Sequence, residues 1–360
     1  MFKKLIIVPL LLLLLNCFNG TTINLSVKSC NFSFDEVQKQ LPDLKFHKAN
    51  LYIQIKDGDI GNDYLSTVLK KAKALEIPTI IWPLLETDQG PWANEFNYEI
   101  FGELVNKITD YLKEEEINPK YIVINMENSS AQMDTITNYL KNKDYKAIME
   151  LLMTNLDRAS FDRGVAGYKK IVDDLHAKGY QVMITTYPFM IDDFKDGDPD
   201  IQDLANVPIS GIDWDALTFT PYRTAYSGDF GMTFTPYIVY DYGKAAKEIF
   251  KEKARIALGI VGESGHGPGF KSPEDLKKDI AAAKAAGIEQ IDLFHLKGMV
   301  ESGDIGPWIN ADVKAEIPVI DLKVVAARAF VQTLDKVLND KYTEQKIPVI
   351  MNVLDSLKVK

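Results

Sequence analysis

Glu127 and Glu263 each close an apolar run, a placement that suits a carboxylate to acid–base or nucleophilic work. The runs are Tyr-Ile-Val-Ile-Asn-Met-Glu (121–127) and Ile-Ala-Leu-Gly-Ile-Val-Gly-Glu (256–263). Each reads as a buried strand with its acid at the C-terminal end. Alternation puts Tyr121, Val123, Asn125 and Glu127 on one face of the first run. In the second it groups Ala257, Gly259, Val261 and Glu263. Small residues suit a crowded interior face. Two strand-end carboxylates can divide roles, one protonating a leaving group and the other attacking or activating water. The plainer reading makes either glutamate a helix cap or the partner of a nearby Arg or Lys.

These acids need a scaffold, and the rest of the chain supplies one. Strand-like runs at Ile23–Val27, Leu51–Ile55, Thr79–Leu85, Tyr121–Met126, Gln181–Tyr187, Ala216–Thr220, Arg255–Val261 and Gln290–Leu296 alternate with helical patterns. The helices fall at Ser33–Leu41, Asp63–Leu75, Tyr98–Glu115, Gln132–Lys178, Asp241–Lys253 and Pro273–Ala286. Short apolar runs separated by helical periodicity mark parallel βα units. Eight of them predict an α/β fold, a (β/α)8 TIM barrel; an open doubly wound sheet is the competitor. Pro78, Pro119 and Gly179 stop helices just before strands. Ser272-Pro273-Glu274-Asp275 reads as a capped helix start. The tail after Ile317 predicts helices at Ile320–Leu338 and near Val349–Leu357, read as the last helix of the barrel plus a C-terminal helical extension packing on it.

The long connections mostly follow strands: 86–97, 128–162, 188–215, 221–240 and 264–272. In a barrel those connections form the catalytic face. Aromatic residues gather there. Trp82, Trp92 and Trp308 fall at or after strand ends, and Tyr222, Tyr226, Phe230, Phe234 and Tyr237 crowd the connection after strand six. Flat apolar rings suit the faces of sugar rings, although the plainer use, packing the loops onto the barrel, accounts for most of them. Tyr187 and His295 also close strands. Ser264-Gly-His-Gly-Pro-Gly-Phe270 could cradle a phosphate before a helix, though Glu263, Glu274 and Asp275 would repel one. His266, His295, Asp192 and Asp193 could assemble a metal site, but no ligand spacing of a known metal motif supports it. The expectation is therefore no metal and no cofactor.

The chain has 360 residues, 46% hydrophobic, with a formal charge of −10, so it can bury a large core and lacks the basic charge that nucleic acid requires. Lys3-Lys4, the apolar Leu5–Leu15 and Leu-Leu-Asn-Cys form an export signal too short to span a bilayer comfortably. Its end resembles the lipobox of bacterial lipoproteins, which implies lipidation of Cys17. Cys30 is the other cysteine, and it pairs with Cys17 only if Cys17 carries no lipid. The organisation expected is a signal peptide (1–16), a tether (17–22), the barrel (23–317) and C-terminal helices (318–360). The location implied is the bacterial cell envelope, lipid-anchored, or the exterior if Cys17 is not lipidated.

A glutamate at the end of strand four and another at the end of strand seven resembles the large clan of retaining glycoside hydrolases. The resemblance implies Glu127 as acid/base and Glu263, in Gly-Glu-Ser-Gly, as nucleophile. That clan usually has Asn directly before the first glutamate; here Met126 intervenes and Asn125 lies one further back. Asn125-Met126-Glu127 also resembles the end of the chitinase-like strand-four signature, with Asn in place of Asp. Tyr222 stands where that family often places a tyrosine. The function expected is hydrolysis of a glycosidic bond in a carbohydrate substrate. Glu127 and Glu263 are then catalytic, and Asn125, Trp82, Trp92, Tyr187, Tyr222, His295 and Trp308 bind the sugar. Two alternatives stand beside it: a non-catalytic surface protein that binds glycan or another ligand, and a metal- or phosphate-dependent sugar enzyme.

Overall fold

The structure is a computed structural model that describes residues 24–29, 32–194, 197–264 and 267–338. Eight parallel strands close into a barrel. They are β1 (Asn24–Lys28), β2 (Asn50–Ile55), β3 (Thr79–Pro83), β4 (Tyr121–Asn125), β5 (Val182–Thr186), β6 (Ala216–Phe219), β7 (Ala254–Gly259) and β8 (Gln290–Phe294). The closure is made by β1, which runs one residue later than the expected Ile23–Val27. Asn24 through Lys28 pair with Gln290 through Phe294 of β8. On its other edge Ser26, Val27 and Lys28 pair with Asn50, Leu51 and Tyr52 of β2. The open-sheet alternative is thereby excluded.

Alternation sorts the side chains into two environments. Leu25, Val27, Leu51, Ile53, Ile55, Ile291 and Leu293 join the large outer core beneath the helices. The opposite face of these strands, with Ser26, Asn50, Tyr52, Gln290 and Asp292, lines the barrel interior. Fully buried Arg255 and Asp292 meet there at 2.5 Å. Thr218 Oγ1 donates to Asp292 at 3.1 Å, Arg255 donates to Ser26 Oγ at 3.2 Å and to Gln290 Oε1 at 3.1 Å, and Asn50 donates to Ser26 Oγ at 3.1 Å. Buried charge persists only when paired and hydrogen-bonded. This network supplies both and forms the floor beneath the mouth.

Helix starts follow their capping residues. Asn62 accepts from Tyr64 N–H at 2.8 Å before the helix Asp63–Ala74. Ser272 caps Pro273–Ala285, with Pro273 in its first turn as its sequence implies. The stretch after β4 forms three helices, Ser130–Lys141, Tyr145–Met153 and Arg158–Ala177, rather than one continuous helical region.

The C-terminal helix Leu322–Leu338 packs on the short helices Met190–Asp193 and Asp200–Leu204 that follow β5. Arg328 fastens it, pairing with Asp192 and with Asp241 and lying 4.8 Å from the Tyr242 ring centroid. It is therefore not the eighth helix of the barrel ring. The short helix Leu296–Glu301 follows β8 instead. Among the described residues no helix is long and apolar enough to cross a membrane. Cys17, Cys30, the export signal and the expected helix at Val349–Leu357 lie outside the described residues.

Candidate active site

The β4 end is held from both sides. Ala93, in the connection after β3, donates its N–H to Asn125 O at 3.0 Å and accepts from Glu127 N–H at 3.1 Å. Met126 forms the parallel bridge between these bonds, and its side chain is buried in the outer core. The ladder thus continues two residues past β4, and Glu127 keeps the inward parity of Asn125. The amide of buried Asn125 donates to Glu127 Oε1 at 2.8 Å, which fixes the rotation of the carboxyl group.

Two tyrosines share this neighbourhood. Burial, and after it the charge of Glu127, pushes the Tyr187 hydroxyl well above its usual pKa. Burial, then Tyr242 and Glu127, does the same to Tyr226, on the helix Arg223–Asp229 after β6. Tyr187 accepts from Asn128 N–H at 3.3 Å, and its ring stacks on Phe189 at 5.1 Å and 9°. Behind them Asn128 donates to Gln132 at 2.7 Å, and Gln132 donates to Asn155 at 2.9 Å. The site therefore joins one oriented carboxyl group to phenol hydroxyls that stay protonated. Such groups can exchange a proton with a bound substrate and donate hydrogen bonds to its oxygens.

The aromatic residues divide. Trp82 points into the barrel among Tyr52, Ile80, Leu84 and Val123, and half-buried Trp92 packs on that cluster. Trp82 Nε1 is buried with no hydrogen-bond partner in the structure. Tyr222 and Phe294 face one another at 5.8 Å and 30°. Trp308 is instead part of the outer core, and its Nε1 donates to Ser302 Oγ at 2.7 Å. His295 caps the helix after β8, accepting from Gly298 N–H at 3.0 Å, and burial lowers its pKa. Asp192 is engaged by Arg328, while Asp193 accepts from Ile201 N–H at 2.9 Å and from Gln202 at 2.6 Å. Among the described residues no three His, Cys, Asp or Glu side chains are grouped to hold a metal ion. His266 lies outside the described residues.

The second carboxylate has a different backbone setting from the expected one. β7 ends at Gly259, and the Thr224 hydroxyl takes over its hydrogen bonding. Thr224 Oγ1 donates to Gly259 O at 3.0 Å and accepts from Ile260 N–H at 2.7 Å. Val261 then lies in the outer core, not inside the barrel with Ala257 and Gly259. The alternation that would carry Glu263 inward is broken by one residue. Glu263 and Ser264 pair with Gly267 and Pro268 in a small antiparallel hairpin. The side chain of Glu263 lies outside what the structure describes.

Lys28 escaped the sequence reading. It closes β1 on the inward side, buried, with Nζ 5.4 Å from the ring centroids of both Tyr52 and Trp82. The signal was present in Leu-Ser-Val-Lys, where polar residues alternate with apolar ones on a strand.

Glu95 was also missed. It sits in the connection that holds Glu127, almost fully buried, and its N–H donates to Asn206 O at 3.0 Å. Burial, then the nearby charge of Asp203, raises its pKa from 4.5 to about 7. The folded protein therefore binds more protons than the unfolded chain between those values. The stability contributed is fully present below about pH 4.5 and is lost as pH rises through about 7. Glu95→Gln should leave the urea midpoint nearly unchanged near pH 4 and raise stability by about 2–3 kcal/mol near pH 8. A loss of stability at both pH values would contradict this account.

Neither a protein-family model nor a curated protein matches the sequence. Among solved structures, the glycoside hydrolase domain of PgaB (BpsB) from Bordetella bronchiseptica is similar with a TM-score of 0.49 and 8% identity, over 80% of this chain and 98% of that one. A beta-glucosidase from Exiguobacterium marinum gives 0.49 and 11%, over 90% and 99%. A D-tagatose 3-epimerase-like protein gives 0.46 and 8%, over 87% and 99%. Likeness at this distance carries no chemistry to the present chain.

Proposed function

We propose that the C-terminal face of the barrel binds a carbohydrate and that Glu127 acts as acid/base in cleaving a glycosidic bond. The observation that carries this reading is the Glu127 carboxyl, oriented by Asn125 at 2.8 Å at the end of β4. The mouth around it is polar and aromatic, as a sugar site requires. Glu263 is the second carboxylate of the proposal, either as nucleophile or as the base that activates water. The test is a panel of aryl glycosides and natural glycans, with the anomeric form of the first product followed by NMR. Retention assigns Glu263 as nucleophile, and inversion assigns it as base. Binding without turnover of any member would replace the hydrolase by a glycan-binding barrel.

The protein is proposed to work at the cell envelope, held by lipid on Cys17. The basic and apolar N-terminus ending in Leu-Leu-Asn-Cys supports this. Cys17→Ala should move the protein from the membrane fraction to the soluble or secreted one. An unchanged membrane fraction would remove the lipid anchor from the proposal.

A further inference from the structure

We propose that a cavity at the ends of β1 and β2 is a distal saccharide subsite, so that the substrate is an oligosaccharide laid across the mouth. The inference takes its point of cleavage from the reading of Glu127 above. The cavity has a volume of about 660 Å3 and does not include Glu127. Its walls include Phe34, Gln54, Lys56, Asp59, Asn62 and Tyr64. That volume falls in the range of small-molecule sites. Acidic, basic, amide and aromatic side chains together offer donors, acceptors and ring faces, which is the chemistry of a polyhydroxylated ligand. With Asp35 also in the lining, two acids face one base, so the walls favour a neutral sugar over a phosphate.

Three observations tie this cavity to the mouth. All the barrel strands are parallel, so the ends of β1, β2 and β4 lie on one face of the barrel. Gln54 stands on the inward side of β2 and pairs in register with Trp82 of β3. The side-chain oxygen of Gln54 and Nε1 of Trp82 are both buried without a hydrogen-bond partner. An acceptor and a donor left unmatched on paired positions need an explanation. Of the two residues Gln54 lines the cavity, and a turn of its amide toward the cavity would bring it to a bound hydroxyl group. From Gln54 through Trp82 to β4 is two strand spacings, roughly 10 Å. One pyranose ring does not cover that span together with the cavity, whereas a chain of several does.

The experiment uses the full chain and ladders of cello-, chito-, manno- and xylo-oligosaccharides, from monosaccharide to hexasaccharide. Turnover is followed on the wild type, and binding is measured by calorimetry on Glu127→Gln. Affinity should rise by at least about tenfold between the disaccharide and the longest members of the favoured ladder. Gln54→Leu keeps the bulk of the side chain and removes a polar atom that has no partner, so folding should tolerate it. Tyr64→Ala changes an exposed ring, 62% accessible. Each, in the Glu127→Gln background, should lower the ratio of hexasaccharide to disaccharide affinity by several-fold to tenfold. Turnover with no dependence on chain length, or variants that leave that ratio unchanged, would overturn the subsite and spare the role of Glu127. Length-dependent binding without turnover would overturn the hydrolytic reading and spare the subsite. No binding to any ladder overturns both.

Discussion

Glu127→Gln is expected to lower kcat on a natural glycan by about 10²–10⁴-fold while the affinity for that glycan stays close to the wild-type value. Glutamine keeps the shape and leaves a side-chain oxygen for the Asn125 amide that now donates at 2.8 Å. The substitution removes only the exchangeable proton and the charge, so the unfolding midpoint should hold. The loss should depend on the leaving group. A sugar alkoxide needs protonation as it departs, whereas an activated nitrophenolate needs little, so kcat/KM for aryl glycosides, which reads the bond-breaking step, should suffer far less. That contrast separates an acid from a residue that merely holds the substrate, because loss of uniform binding would raise KM for both substrates. Glu263→Gln should reduce both classes alike if Glu263 is the nucleophile, since no covalent intermediate then forms. A Glu127→Gln enzyme that retains natural-glycan turnover within about tenfold would remove Glu127 from the acid role.

The two glutamates also show what a sequence can carry. Parity from Tyr121 to Glu127 is legible because the β4 ladder persists through the Ala93–Met126 bridge. Parity from Ala257 to Glu263 fails after Gly259. On one edge the Thr224 side chain stands where a strand would; on the other Val261 N–H still donates to Phe294 O of β8, and Val261 already lies in the outer core. Nothing in the spacing of the apolar residues announces that exchange. The short first strand was legible in composition, but its role in closure depends on pairing with β8, more than 260 residues away along the chain. The polar interior was partly written in the sequence. Asn50, Tyr52 and Gln54 alternate with Leu51, Ile53 and Ile55, as do Gln290 and Asp292 with Ile291 and Leu293. Periodicity identifies such residues as one face. Which of them bond one another follows from barrel closure and stagger.

Arg255→Met should destabilise the fold by about 3–5 kcal/mol at neutral pH, the largest stability effect expected of one substitution here. Methionine fills similar volume but leaves Asp292, fully buried, without the guanidinium that meets it at 2.5 Å. In the wild type, burial pushes the Asp292 carboxyl up, yet Arg255 outweighs it and holds the group below its ordinary 3.8. The stability of the pair is therefore present above about pH 3.8 and lost only as pH falls through that lower folded value. In the variant burial wins, and the folded carboxyl should take up a proton well above 3.8. A neutral Asp292 needs no counterion, so the deficit should shrink as pH falls from about 7 to about 4. Urea midpoints across that range measure the trend; a deficit that is constant or grows in acid would show that lost packing, not lost charge, is the cause. Adding Asp292→Leu should recover much of the loss, because replacing both charges avoids an unpaired one. Recovery should stop short of completion, since Lys28 also favours the Asp292 carboxylate and Thr218 donates to it at 3.1 Å. The residual deficit then measures how far the floor of the mouth behaves as a network rather than as an isolated ion pair.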